Sequence, residues 1–396
     1  MHKMALVAVA VVLSHGVSAQ QLRFDDVVRN LRNPDPKARL SAVRLLRDAK
    51  YPEAIVPMAP LVLDPIDDIQ LEAIAAELSF FLEQDVKSKR MVAFVLEKRR
   101  SAIAQSAFDL GPFAVWPRAV PAELVSALLQ AIDDENQKVR LEAIYATGVI
   151  ARAPLTADQT GRLIKALDHY DPAVRAGAAR VIARLKVTEA GDALIKAIND
   201  SKADVRYASM RALGALREQR AVGALTEQLA YYKKGEGAWS ALDALARIAS
   251  PASVQIFKDR LRDRDPYIRR AATEGLGRAG DTASIETLEA NTSTDDAAMQ
   301  KLGRNYAARI VDLMASPKVT AQGQEYLLEL GPPMVPTLIP RLQDPDAEMR
   351  EAVADVLGVI GDATTLPALE AATKDRDASV VSAAKRALAR LRPPSL

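Results

Sequence analysis

The stretch Asp171-Pro172-Ala173-Val174-Arg175, followed by Ala178, Val181, Ile182 and Leu185, decides how the chain is read. An Asp before Pro and a run of Ala, Val, Arg and Leu marks a helix start. The carboxylate can accept from the first free backbone N–H groups, and proline sits in the first turn, where its missing N–H costs nothing. Counted from Val174, the apolar residues fall at +4, +7, +8 and +11, one stripe at about 100° per residue. The phrase returns as Asp265-Pro266-Tyr267-Ile268-Arg269, Asp35-Pro36-Lys37-Ala38-Arg39 and Asp346-Ala347-Glu348-Met349-Arg350. Lys138-Val139-Arg140 and Asp204-Val205-Arg206 keep its apolar–Arg pair. Arg140, Arg175 and Arg206 are 35 and 31 residues apart, and Arg206 and Arg269 are 63 apart, with Ala238 in the intermediate register. That period is near those of paired-helix repeats. Leu-rich runs such as Leu163–Leu167 and Leu194–Ile198 supply the first helix of each pair, and the Asp-led segment the second. One pair cannot bury its stripe alone, so neighbours must stack. Gly280-Asp281 and Gly361-Asp362 read as stops after second helices.

Composition agrees with this reading. The 396 residues are 49% hydrophobic but only 5% aromatic, so the core is built from Ala, Leu, Val and Ile, which suits packed helices. With 53 basic against 51 acidic residues, no global field draws the chain to nucleic acid or to an anionic membrane. The absence of Cys excludes disulfides, thiolate zinc sites and cysteine nucleophiles. Of three His, His2 and His15 lie in the first 19 residues, which leaves His169 and no histidine-cluster metal site. Residues 1–19 have the pattern of an export signal. His2-Lys3 is a polar start, Met4–Leu13 is an apolar run too short to span a bilayer, and Val17 and Ala19 are small. Cleavage is expected after Ala19, with the periplasm or the extracellular space as destination.

The phrase Leu357-Gly358-Val359-Ile360-Gly361-Asp362 and the turn Asp-x-x-Val/Ile/Met-Arg resemble the HEAT-repeat family, particularly the bacterial HEAT-like repeats first described in phycobilisome lyases. The resemblance spans most of residues 24–392. It implies an all-α fold, a right-handed α-solenoid of stacked antiparallel helix pairs. The organisation expected is a signal at 1–19, repeats over 20–120 with an irregular stretch at 84–120, regular repeats over 121–290, an irregular helical segment at 291–331, and C-terminal repeats with a cap at 332–396. Leu110-Gly111-Pro112 and Leu330-Gly331-Pro332 close the irregular stretches in similar words, so both read as degenerate or lengthened repeats.

Two sets of side chains stand out. Arg39, Arg140, Arg175, Arg206, Arg269 and Arg350, with Asp35, Asp171, Asp265 and Asp346, recur at fixed repeat positions. They read as a structural ladder: Asp caps its helix, and Arg reaches a turn Asp or carbonyl in an adjacent unit. The second set lies at +2 and +6 of the second helices, away from the stripe. It contains Leu141, Tyr145, Arg180, Tyr207, Arg211 and Trp239, aromatic and Arg types that anchor protein interfaces. The resemblance places second helices on a concave surface, so these six are the expected groove for a protein or peptide. Tyr207 and Trp239 are expected to be replaceable without loss of stability.

No catalytic residue, cofactor or metal is expected. Asp263-Arg264-Asp265 and Asp375-Arg376-Asp377 lack the glycine and terminal Glu of a calcium loop and read as helix caps. Phosphate-binding loops and a Gly-x-Ser-x-Gly elbow are absent. His169 reads as a surface residue, and Asn291-Thr292-Ser293 fits a glycosylation pattern that chance often supplies. The resemblance raises three rivals to an exported non-catalytic scaffold. A lyase of this fold would need a bilin pocket, and a HEAT-like DNA glycosylase would need a cationic groove. A deoxyhypusine hydroxylase would need His-Glu pairs, which do not occur. Expected partners are therefore a protein or peptide, without nucleic acid and without a membrane span in the mature chain.

Overall fold

The computed structural model describes residues 24–82, 103–116, 118–279, 324, 327–328 and 331–392. The export signal, Gly280-Asp281 and the Asn291 motif lie outside these residues, as do most of the two irregular stretches. The described chain is helical, and its one β pairing is an isolated bridge between Leu82 and Val115. It divides within one helix, at residue 162, into two compact units.

In the first unit the helices are α1 (Phe24–Asn30), α2 (Pro36–Asp48), α3 (Ile55–Met58), α4 (Asp67–Phe81), α5 (Ile103–Asp109), α6 (Ala122–Ala131) and α7 (Gln137–Ile150). Then α8 (Ala157–Lys165) carries the division. The second unit holds α9 (Pro172–Leu185), α10 (Gly191–Ala197), α11 (Ala203–Leu216), α12 (Val222–Tyr232), α13 (Gly235–Ile248), α14 (Val254–Arg260) and α15 (Pro266–Ala279). It continues with α16 (Val335–Leu338), α17 (Ala347–Ile360), α18 (Leu366–Ala372) and α19 (Ala378–Leu391). Second helices pack on second helices: α2 on α4 and α4 on α7 in the first unit, α9, α11, α13 and α15 in succession, and α17 on α19, in the second.

The helix starts follow from the Asp-led phrase. Asp35, Asp171 and Asp346 accept the N–H two residues on, at 3.0, 2.9 and 3.0 Å, and Pro36, Pro172 and Pro266 open their helices. The apolar stripe is the core: Val174, Ala178, Val181 and Ile182 are fully buried, as are Val353 and Leu357 at the +4 and +8 positions of α17. Gly361 ends α17 with φ +80°, a left-handed conformation that glycine adopts without a Cβ penalty. Small residues let second helices approach closely. A Cβ on Gly214 of α11 would stand 2.7 Å from the Ala244 Cα of α13, so a larger residue there must push the two helices apart.

Adjacent units are joined at their turns by a repeated arginine. Arg39 donates from Nε and Nη2 to the two carboxylate oxygens of Asp64, at 2.7 and 3.0 Å. Arg175 does the same to Asp200 at 2.7 and 2.9 Å, and Arg350 to Asp375 at 2.8 and 2.8 Å. Each bridge spans 25 residues, from a second helix to the turn that precedes the next one, and the remaining guanidinium nitrogen holds carbonyls of the arginine's own turn. The carbonyl contacts are thus internal to a unit rather than between units. Arg140 and Arg269 make this own-turn contact, to Asp134 and Asp263 carbonyls at 2.9 Å each.

The described part of the stretch 84–120 is an excursion on a regular array. Gln70 holds the ladder position of α4, and its Nε2 donates to Asp134 at 2.9 Å, in the turn before α7. Asn136 donates across the same junction to Asp67 at 2.6 Å. The α7 unit therefore stacks directly on the α4 unit. The excursion leaves and returns at one place, where Leu82 pairs with Val115 and the Trp116 N–H reaches the Phe81 carbonyl at 2.6 Å. Its helix α5 lies on α7: Glu142 accepts the Ile103 and Ala104 N–H groups at 2.7 Å each, and Phe108 packs 5.5 Å from the Tyr145 ring.

This overturns the expectation for Tyr145. Its register is off the stripe that faces α6, but α5 covers that side, and Tyr145 is only 5% exposed. It is a core residue. Burial raises the Glu142 carboxyl above its ordinary range despite its two N–H donors.

Candidate protein-binding site

In α11, α13 and α15 the turns of the +2 and +6 positions stay uncovered by any described excursion. The side chains there converge. Arg211 from α11, Trp239 and Asp243 from α13, and Tyr267, Arg270 and Glu274 from α15 line a cleft of about 290 Å³. Every one but Tyr267 stands at +2 or +6, so the array period itself brings them together. Tyr267 enters from the start of α15, where its ring lies 4.8 Å from Trp239, tilted at 35°. It is 58% exposed.

Ion pairs organise the floor and rim. Glu274 is buried and accepts from Arg270 Nε at 3.1 Å, and Asp243 accepts from Arg247 Nε at 2.9 Å. Arg211 pairs with Glu236 at 2.8 Å, with both side chains about half exposed. Glu274 is sheltered beneath its arginine, while Arg270 and Arg211 present accessible guanidinium edges beside the aromatic faces. Arg and aromatic side chains are what interfaces use as anchors, because each adds large contact area with directed polar contacts.

Of the six expected groove residues, Arg211 and Trp239 line the cleft, and Tyr207 lies one helical turn before Arg211, outside its lining. Leu141 is half-buried on α7, Tyr145 is covered, and Arg180 is half-buried on α9. Trp239 is more than a surface ring. Its Nε1 donates to Asp265 Oδ2 at 2.6 Å, and Asp265 also caps α15 through the Tyr267 N–H at 2.9 Å. The expectation that Trp239 can be removed without loss of stability is therefore corrected: it ties α13 to the start of α15. Tyr207 likewise packs edge-on against Tyr232, 5.6 Å between centroids, and burial raises its phenol above the ordinary range.

Asp243, Tyr267, Arg270 and Glu274 belong to the site and were not among the six. Asp243, Arg270 and Glu274 were legible from the same +2 and +6 counting. Tyr267 was not, because it stands in the capped turn rather than on the outward face.

The two carboxylates that line the cleft are held in ion pairs, Asp243 with Arg247 and Glu274 with Arg270. Asp265 and Asp377 serve as helix caps, and His169 accepts the Asp171 N–H at Nδ1, 3.0 Å. Among the described residues no group of three or more His, Cys, Asp or Glu could hold a metal, and no helix is long and apolar enough to cross a membrane.

With the capped turns, the arginine ladder and the stacked pairs in place, comparison with known proteins is direct. The family described as HEAT repeats matches residues 161–235, 233–302 and 309–395, more than half of the chain. The chain belongs to the HEAT-repeat family. Among solved structures it is similar to an engineered protein (19% identity, 94% of this chain and 99% of that one, TM-score 0.41). It is similar also to the complex of CpcE and CpcF of phycocyanin lyase from Nostoc sp. PCC7120 (18% identity, 74% and 91%, TM-score 0.34). A third is Kap121p bound to RanGTP (13% identity, 94% of this chain, TM-score 0.40), of whose length this chain covers 44%. No curated protein matches the sequence.

Proposed function

We propose that this chain is an exported, non-catalytic scaffold that binds a peptide or protein segment across the uncovered faces of α11, α13 and α15. The observation that carries the reading is the cleft itself. An exposed Tyr267 lies against Trp239 in a tilted ring pair, in a cleft that the accessible guanidinium groups of Arg211 and Arg270 also line. Aromatic faces bury well without a deep pocket, and guanidinium groups give bidentate contacts to carboxylates or carbonyls. A catalytic reading finds no support in the cleft, where each carboxylate is tied to an arginine. The export half of the proposal rests on the pattern of residues 1–19.

The test places a photocrosslinking residue at Tyr267 in the full-length protein, with a second at the exposed Gln255 on α14 as control. A discrete adduct from position 267 and none from 255 is expected, and Tyr267→Ala is expected to weaken the captured partner's affinity about tenfold or more. Equal adducts from both positions, or a Tyr267→Ala variant with full affinity, refutes the cleft. Amino-terminal sequencing of the periplasmic fraction that finds anything other than Gln20 first refutes the export reading.

A further inference from the structure

One turn in the second unit departs from all its neighbours. The turns that precede second helices are acidic: Asp168 and Asp171, Asp200, Asp263 and Asp265, Asp344 and Asp346, Asp375 and Asp377. Before α13 the corresponding residues are Tyr231-Tyr232-Lys233-Lys234. The consequence falls on Arg206, the ladder arginine of α11. One repeat on, where Arg175 meets Asp200 and Arg350 meets Asp375, Arg206 meets the phenol of Tyr232 at 2.5 Å. Its Nη1 holds the Asp200 carbonyl at 2.7 Å, its carbon centre lies 5.9 Å from the Tyr232 ring, and among the described residues Nη2 has no hydrogen-bond partner. A guanidinium that is neutralised at other junctions is here left with a neutral partner.

The surroundings extend this cationic spot. Lys233 and Lys234 are exposed and form no ion pair among the described residues, and Lys233 is held at φ +53° ahead of Gly235 at φ +76°. Tyr231 is 77% exposed and stands edge-on to Tyr232, 5.0 Å between centroids. Gly237 makes room for the Tyr232 ring, which a Cβ there would strike. The patch adjoins the cleft: Tyr232 packs on Tyr207, one helical turn before Arg211.

We infer that the Arg206–Tyr231–Tyr232–Lys233–Lys234 patch binds a short acidic peptide segment, two or more carboxylates beside an aromatic or proline residue. This rests on the reading of the cleft as a peptide site and adds to it the charge and position of the ligand. Charge complementarity selects the occupant. The unpaired cations attract carboxylates, and the tyrosine faces receive an apolar ring. Acidic turns on either side of the patch repel a polyanion longer than it, so nucleic acid is disfavoured.

The experiment selects displayed random peptides of about twelve residues on the full-length protein, enough to cross stacked helices about 8–10 Å apart. The selected peptide is then titrated, fluorescein-labelled, against wild type and Lys233→Glu/Lys234→Glu. Both lysines are exposed and unpaired, and an unchanged circular-dichroism melt verifies folding of the variant. Asp and Glu enriched next to Tyr, Phe or Pro is the expected outcome, with affinity falling about tenfold or more on charge reversal and weakening with salt. Peptides without acidic bias, or equal affinity for the variant, overturn the inference. So does displacement of the peptide by single-stranded DNA of equal length. Peptides that ignore Lys233 and Lys234 but are lost on Tyr267→Ala leave the cleft standing and remove the acidic-segment inference alone.

Discussion

Replacing Arg175 by Ala tests the physical claim on which the array rests. The guanidinium makes two bonds to the Asp200 carboxylate, at 2.7 and 2.9 Å, and others to the His169 and Tyr170 carbonyls at 2.8 and 3.2 Å. Both charged side chains are about 13% exposed, sheltered at the turn edge and still reached by solvent. A hydrogen bond to a charged group contributes about 1.5–3 kcal/mol, and loss of a fully buried pair costs about 3–5 kcal/mol. Partial solvent screening places this one near the lower figure, at about 2–3 kcal/mol. For a unit of this size each kcal/mol moves the melting temperature by about 2–4 °C, so a drop of about 5–10 °C is expected. The pH dependence has a definite sign. Burial works to raise the Asp200 carboxyl, but the bonds from Arg175, the Lys202 N–H and Ser201 outweigh it and leave it below the ordinary 3.8. A depressed acid contributes stability above its unfolded pKa and loses it as pH falls through the folded one. The difference between wild type and variant is therefore full at neutral pH and closes below about pH 4. Thermal melts from pH 7 to pH 3, with Asp200→Ala and the double variant completing a cycle, measure the coupling. A variant that melts within about 1 °C of wild type at neutral pH, or a difference that persists unchanged at pH 3, refutes the ladder as a source of stability.

Glu77 is fully buried in α4 with neither carboxylate oxygen hydrogen-bonded among the described residues, at a stripe position that Leu46, Leu213 and Leu357 occupy in other units. Burial raises its pKa well above 4.5, so the contribution of Glu77 to stability is most favourable in acid and declines as pH rises through and beyond 4.5. Glu77→Leu is expected to stabilise by about 1–3 kcal/mol at neutral pH and to flatten that decline, which denaturant titrations at two pH values check. Gly214→Val should cost about 1–3 kcal/mol or more, because its side chain meets the Ala244 backbone, and an unchanged urea midpoint would contradict the close approach. Trp239→Phe keeps the ring but loses the N–H bonded to Asp265, so a fall of about 1–2 kcal/mol is expected in the same measurement.

Arg206→Ala should cost less than Arg175→Ala, since its partner across the junction is a phenol rather than a carboxylate. Parallel melts of the two variants decide this. An equal or larger loss for Arg206→Ala removes the argument that this junction lacks a counter-ion.

Period, caps and stripe were open to inspection in the chain itself. Asp171, Pro172 and the residues at +4, +7, +8 and +11 are local in sequence, and a helix converts such spacing directly into a face. The step of 25 residues from Arg175 to Asp200 was equally present as text, since a repeated contact needs residues repeated at one interval. What covers an outward face is a different kind of fact. Tyr145 and Arg211 occupy the same repeat position, +6, yet one is buried and the other lines the cleft. The difference is α5, which begins 42 residues before Tyr145 and is brought back to α7 by the Leu82–Val115 bridge. Trp239 shows the same limit from the other side: its N–H reaches a cap 26 residues ahead, a bond that no helical wheel contains. Local spacing determined which residues face the first helices of their own units. The tertiary structure alone decided which of the remaining faces are left open, because burial there depends on segments distant in sequence.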